Sequence, residues 1–190
     1  AVLEMNTSGM VLHMTSPWGA GQLHTGLLGR FNVSNLLAAA GSLALLGMAW
    51  SDVTHQLELM HPVPGRMHCL GGEHNQPLVV VDYAHTPDAL DHALTALRAH
   101  LHGRMTCVFG CGGDRDRGKR PMMAAVAERL ADRIVLTTDN PRSESPQHIF
   151  EDMLAGIKCS RDVQVITDRG AAIRQAILES RPGDIVLVAG

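Results

Sequence analysis

From residue 78 onward, apolar residues come in short unbroken runs, each closed by polar or glycine-rich punctuation. The runs are LVVVD (78–82), MTCVFG (105–110), RIVLTT (133–138), VQVIT (163–167) and DIVLVAG (184–190). Between them the pattern changes to helical spacing, from about Pro87 to His100, Gly118 to Ala131, Pro146 to Lys158 and Asp168 to Ser180. Strands that are apolar throughout suit a parallel sheet covered on both faces. Their alternation with helices predicts an α/β fold, a doubly wound and mostly parallel sheet with right-handed crossovers.

The first third reads differently. Residues 1–28 alternate apolar and polar character around NTSG and SPWGAG, which are turn signals between short strands. GRFNVSNLLAAAGSLALLGMAW then takes a helical period: Ser34 or Asn35 can cap a helix running to about Leu46, with Gly47 as its stop. A shorter helix is expected over Asp52–Met60. HPVPG (61–65), with two prolines and a glycine, marks the boundary. The expected organisation is therefore residues 1–60, a linker at 61–65, and a second unit at 66–190.

In open parallel sheets, ligands bind beyond the carboxyl ends of the strands. The polar punctuation falls there: DYAHTPD after the first run, GCGGDRDRGKRP after the second, DNPRSE after the third and Gly190 after the last. Gly110, Gly112 and Gly113 allow a tight turn with N–H groups pointing at an anion. The loop departs from G-x-G-x-x-G, and Gly118-Lys119 is followed by Arg120 where a Walker A loop needs Ser or Thr. That departure counts against a nicotinamide enzyme. The charges that follow the glycines point to a ligand site, against a plain strand-to-helix turn with a solvated cluster.

Asp82, at a strand end, can accept ribose hydroxyls or simply cap the next turn. Arg66, beside the linker, can reach a phosphate or lie in water. In DNPR (139–142), Pro141 restrains its neighbours and gives Asn140 and Arg142 fixed directions. Arg142 offers a planar fork for a carboxylate. The plainer alternative is an Asx-type turn with Arg142 solvated.

Composition narrows the classes. The 190 residues carry a formal charge of −3, and only 3% are aromatic, so neither a basic field nor a stacking platform for nucleic acid is expected. The four cysteines contain no C-x-x-C pair and are read as reduced interior thiols. The eleven histidines form no metal-binding signature, so no metal ligands are assigned. No run approaches the roughly 20 apolar residues of a membrane span, and no signal peptide opens the chain. A cytoplasmic protein with no membrane partner is expected.

Taken together, GRFNVSNLLAAAGSLALLG, PVPGRM, VVVDYAHTPDAL, VFGCGGDRDRGKRPMM, TDNPRSE and GDIVLVAG resemble the Mur ligases in order and spacing. The resemblance is to the branch that joins meso-2,6-diaminopimelate to UDP-MurNAc-L-Ala-D-Glu in peptidoglycan synthesis, through an acyl phosphate, using ATP and Mg²⁺. It implies a Rossmann-like C-terminal domain at 66–190, cut before its end and preceded by the tail of a central ATP-binding domain at 1–60. It implies diaminopimelate contacts from Arg115, Asp139, Asn140, Pro141, Arg142 and Gly190, with Arg142 pairing the second carboxylate that lysine lacks. Nucleotide contacts are implied for Asn35, Arg66, Asp82 and, more weakly, His85. The phosphate loop, the UDP-sugar domain and the Mg²⁺ ligands are expected upstream of residue 1. The chain alone is then expected to lack catalytic residues and to be inactive, and its parent to be a monomer handling only small molecules. A non-catalytic binding fragment or a lysine-adding relative remains the alternative.

Overall fold

Alternating side chains decide how the main sheet is covered. In the computed structural model, which describes residues 1–73, 75–159 and 162–190, two sheets form around separate cores. The first is an antiparallel meander of β1 (Val2–Asn6), β2 (Gly9–Ser16) and β3 (Gly19–Thr25). Met10, Leu12, Met14 and Leu23 point from it onto α1 (Phe31–Leu45) and α2 (Trp50–Glu58), meeting Leu36, Ala40, Ala44, Val53 and Leu57.

Helix α1 begins earlier than expected. Ser34 and Asn35 do not cap it; both lie inside the helix, and Arg30 holds the cap position without a side-chain bond. The entry is instead fixed by Asn32, whose Nδ2 donates to Leu28 O (2.8 Å), and by the Asn32 N–H on Gly29 O (3.0 Å). The stop comes as expected at Gly47, where φ is 92°. Helix α2 runs two residues ahead of its expected span.

The second sheet has the order β4-β5-β9-β6-β7-β8, built from β4 (His68–Gly71), β5 (Leu78–Asp82), β6 (Met105–Phe109), β7 (Arg133–Leu136), β8 (Val163–Val165) and β9 (Ile185–Ala189). All pairings are parallel except β4 with β5. Strand β4 was not anticipated: HCLG is too short and too close to the prolines to show a strand period.

From β5 the chain steps outward to β6, β7 and β8, then returns past two strands to insert β9 between β5 and β6. Right-handed crossovers place α3 (Pro87–Arg98), α4 (Lys119–Leu130) and α5 (Pro146–Leu154) on one face. The reversed step puts α6 (Arg169–Leu178) on the other face. The packing agrees. Val80, Cys107, Phe109, Leu136 and Leu187 face Leu90, Leu94, Leu97, Ala124 and Phe150, whereas Val108, Val135, Val186 and Val188 face Ala172 and Ala176. Each buried leucine of α3 contributes about 1.5–3 kcal/mol by leaving water. The returning chain sets the carboxyl end of β9 between those of β5 and β6. Among the described residues, no helix is long and apolar enough to cross a membrane.

Candidate functional site

Register alone gathers the strand ends. Asp82 pairs with Ala189, Ala189 with Phe109, and Phe109 with Leu136, so the residues that follow each strand emerge side by side. Gly190 lies at the centre, its N–H donating to Asp82 O (3.2 Å). Arg169, opening α6, donates to Ala189 O (3.0 Å) and Thr138 O (3.5 Å), tying the ends of β9 and β7.

One cluster forms over β5. The Asp82 carboxylate accepts the Met67 N–H at Oδ2 (2.8 Å) and the Ala84 N–H at Oδ1 (2.9 Å), so it fastens the linker exit to its own strand. Each oxygen keeps a lone pair, so capping and hydroxyl recognition are compatible. The Arg66 guanidinium sits 5.2 Å from the centroid of the exposed Tyr83 ring, and His85 approaches that ring edge-on at 4.8 Å. Thr86 caps α3 by accepting the Ala89 N–H (3.3 Å). The structure thus brings Arg66, Asp82 and His85 together. Asn35 stands apart on α1, exposed, with its amide donating to Asn32 Oδ1 (2.9 Å).

The second cluster joins the glycine loop to the loop after β7. Gly113 N–H donates to Asn140 O (2.9 Å), and Arg142 Nη1 donates to Gly113 O (2.5 Å). The approach is so close that a Cβ on Gly113 would lie 1.8 Å from Pro141 O. Asp114 accepts both the N–H (3.2 Å) and the Oγ–H (2.7 Å) of Ser143. A Cβ on Gly112 would meet Arg142 Nη1 at 3.2 Å, Asp139 Oδ2 at 3.6 Å and Arg115 Cγ at 3.7 Å, so these side chains ring one point on the loop. Arg115 is exposed and makes no hydrogen bond or ion pair among the described residues.

The Asx-type turn expected as the plainer alternative is present: Arg142 N–H donates to Asn140 Oδ1 (3.2 Å). Arg142 also takes φ 49°, and its guanidinium is not loose in water but held on Gly113. The turn and the fixed cation coexist, because a turn at 140–142 is what swings Arg142 back to the glycine loop.

Sequence reasoning passed over several residues here. Arg120 is wholly buried and pairs with Glu144 (2.6 Å) and Asp152 (2.8 Å). Lys119 Nζ donates to His85 O (2.8 Å) and so links the two clusters. Tyr83 supplies the ring beneath Arg66. The signal available for Arg120 and Lys119 was their place in GKRP, directly before a helix.

The cysteines are free thiols, and burial pushes Cys111 up to about 11 and Cys107 up to about 12, so neither is a thiolate nucleophile at neutral pH. Among the described residues, no group of three or more His, Cys, Asp or Glu side chains could hold a metal ion.

Comparison with known proteins adds the following. Residues 65–190 match the family model described as Mur ligase, glutamate ligase domain. The chain is 53% identical over 190 residues to the UDP-N-acetylmuramoyl-L-alanyl-D-glutamate--2,6-diaminopimelate ligase of Coxiella burnetii, covering 100% of this chain and 39% of that protein. A solved structure of a ligase of that name superposes with a TM-score of 0.79 at 40% identity, over 100% of this chain and 39% of its own. The folylpolyglutamate synthase of Mycobacterium tuberculosis, solved with ADP and AMPPCP, shares the fold at TM-score 0.69 and 20% identity, over 98% of this chain and 44% of its own. The chain spans about 39% of the length of the curated relatives it matches.

Proposed function

The chain belongs to the Mur ligase family, and from that premise we propose that it is the amino-acid-recognition part of an ATP-dependent ligase. That ligase adds meso-2,6-diaminopimelate to UDP-MurNAc-L-Ala-D-Glu in the cytoplasm. Residues 1–60 are proposed to close a central ATP-binding domain, 61–65 to serve as its hinge, and 66–190 to form the C-terminal domain.

The observation that carries the reading is the joining of DNPR to the glycine loop, with Arg142 and Arg115 beside Asp139. Diaminopimelate has an ammonium and a carboxylate at each end. A site that selects it over lysine needs a cation for the extra carboxylate and an acid or amide for the ammonium beside it. In this reading Arg142 pairs the carboxylate, Asp139 and Asn140 take the ammonium, Arg115 approaches from the glycine loop, and Gly190 offers backbone. Pro141 limits how far the loop can flex.

At the end of β5, Asp82 would accept the ribose hydroxyls and Arg66 would face the nucleotide, with His85 near the phosphates and Asn35 near adenine once the two units close. The free lone pairs of Asp82 and the exposed Arg66–Tyr83 pair fit a nucleotide. Among the described residues, the carboxylates do not make a Mg²⁺ site. ATP activates the substrate carboxylate as an acyl phosphate, and the amine of diaminopimelate displaces phosphate. The contribution of this chain is to hold that amine in line and exclude other amino acids.

Ligation by the full-length protein, followed by phosphate release with meso-diaminopimelate or L-lysine, tests the reading. Diaminopimelate should be joined in strong preference. Equal use of lysine would make it a lysine-adding relative instead. The 190 residues alone should bind without turnover, and ATP-dependent ligation by them would contradict that assignment.

A further inference from the structure

Arg142 holds a left-handed backbone (φ 49°), as does Asp114 across from it (φ 51°). Non-glycine residues keep such conformations only where their surroundings over-determine them. The turn at 140–142, the bonds between Gly113 and residues 140 and 142, and Ser143 on Asp114 supply part of that.

A further constraint comes from below. Arg120, in the first turn of α4, has no exposed side-chain surface. Its Nη2 donates to Glu144 Oε1 (2.6 Å) and its Nη1 to Glu144 Oε2 (2.9 Å), a two-point grip two residues after Arg142. The same guanidinium donates to Gly112 O (3.1 Å) and to Asp152 Oδ2 (2.8 Å) on α5. Glu144 Oε1 also accepts the Asp114 N–H (2.5 Å), so one carboxylate holds both loops at once. Arg117 adds two bonds to Asp152 (3.0 and 3.1 Å) at the outer edge.

We propose that Arg120 and Glu144 are positioning residues, a buried clasp that aims the Arg142 guanidinium at the second carboxylate of the amino-acid substrate. The proposal rests on the reading of Arg142 given above. Neither Arg120 nor Glu144 touches the substrate; they act through the loop that carries Arg142. A bidentate arginine–carboxylate pair suits this task because it fixes angle as well as distance. The Arg120 guanidinium beside Glu144 holds that carboxyl down at about 2, so the clasp stays charged at neutral pH.

The test is steady-state kinetics of the full-length ligase carrying Glu144→Gln, Glu144→Asp, Arg120→Lys or Arg142→Ala, with ATP, the UDP-linked dipeptide and meso-diaminopimelate each varied in turn. Glu144→Gln and Arg120→Lys should raise the KM for diaminopimelate at least about tenfold and leave the KM for ATP within about twofold. They should also narrow the preference for diaminopimelate over lysine, and Glu144→Asp, which keeps the charge, should recover part of the loss. An unchanged diaminopimelate KM in Glu144→Gln beside a raised one in Arg142→Ala would overturn the clasp while sparing the reading of Arg142. Equal losses in every parameter would show a merely structural role and overturn it too. No effect of Arg142→Ala would remove the underlying reading, and the clasp with it. Glu144 keeps some exposure (20%), so its variants report even if those at Arg120 fail to fold.

Discussion

Arg142 combines two properties that rarely meet: an exposed position and a left-handed backbone, in a turn closed on Asn140 and braced from below through Glu144. In the full-length ligase, Arg142→Ala should lower kcat/KM for diaminopimelate by about 2–5 kcal/mol of transition-state stabilisation, the usual cost of stranding a charged partner. Arg142→Lys should recover only part of it, since an ammonium cannot reproduce the fork. Glu144 makes a prediction in acid. Its folded pKa, about 2, lies below the ordinary 4.5. Its contribution to stability is therefore complete above 4.5 and is lost as pH falls from there towards 2. Acid titration of the thermal midpoint should show a shallower loss across that window in Glu144→Gln than in the parent. At this scale the sequence carried the identity of the rim residues but not their anchoring. DNPR and GCGGD could be read as two loops, whereas Arg120 was only one of the charges after the glycines that together pointed to a ligand site. What distinguishes it is burial, set by packing between α4 and α5.

Among the elements, the five parallel strands and the helices after β5, β6, β7 and β8 were legible, because apolar runs and helical spacing alternate from residue 78 onward and two of the four helices, α3 and α6, open on a side-chain cap. Thr86 and Asp168 illustrate this, accepting the Ala89 N–H (3.3 Å) and the Ala171 N–H (2.6 Å). Thr86→Ala should destabilise the protein by about 1 kcal/mol in denaturant unfolding, with little change in the slope. Two elements were less legible. The start of α1 depends on Asn32 reaching back to Leu28, a contact invisible to cap rules that reward a serine. The edge strand β4 is defined by pairing with β5, not by its own pattern. The two rim loops form an element of their own through Gly113. Gly113→Ala would drive a methyl group into Pro141 O, so diaminopimelate binding should weaken at least about tenfold while ATP affinity changes little, measured by calorimetry on the full ligase.

Across the whole molecule, Leu28 of the first sixty residues packs in the main core, and the units are also bonded together through His100, which is buried. Its Nδ1 bonds Asn6 O (2.7 Å), and its Nε2 accepts the Gly29 N–H (2.9 Å). With Nε2 accepting, the ring is neutral, and burial lowers its pKa from the usual 6.5. A depressed histidine stabilises the fold above 6.5 and loses that contribution as pH drops below it. His100→Gln should cost about 1–3 kcal/mol at about pH 7.5, and the gap to the parent should shrink at about pH 5.5, read from denaturant midpoints. Swinging of the C-terminal unit about 61–65, as proposed for the hinge, would have to break both bonds. The tie between the two cores was not visible in the sequence, because it joins residues 94 and 71 positions apart in the chain.

Arg142 reading the second carboxylate is what sets diaminopimelate apart from lysine in the proposed ligase. The direct measurement is a crystal structure of the full-length ligase with meso-diaminopimelate bound. The predicted result is one carboxylate of the ligand within about 3 Å of the Arg142 guanidinium, with the adjacent ammonium against Asp139 or Asn140. Diaminopimelate bound elsewhere, with Arg142 turned into solvent, would contradict it.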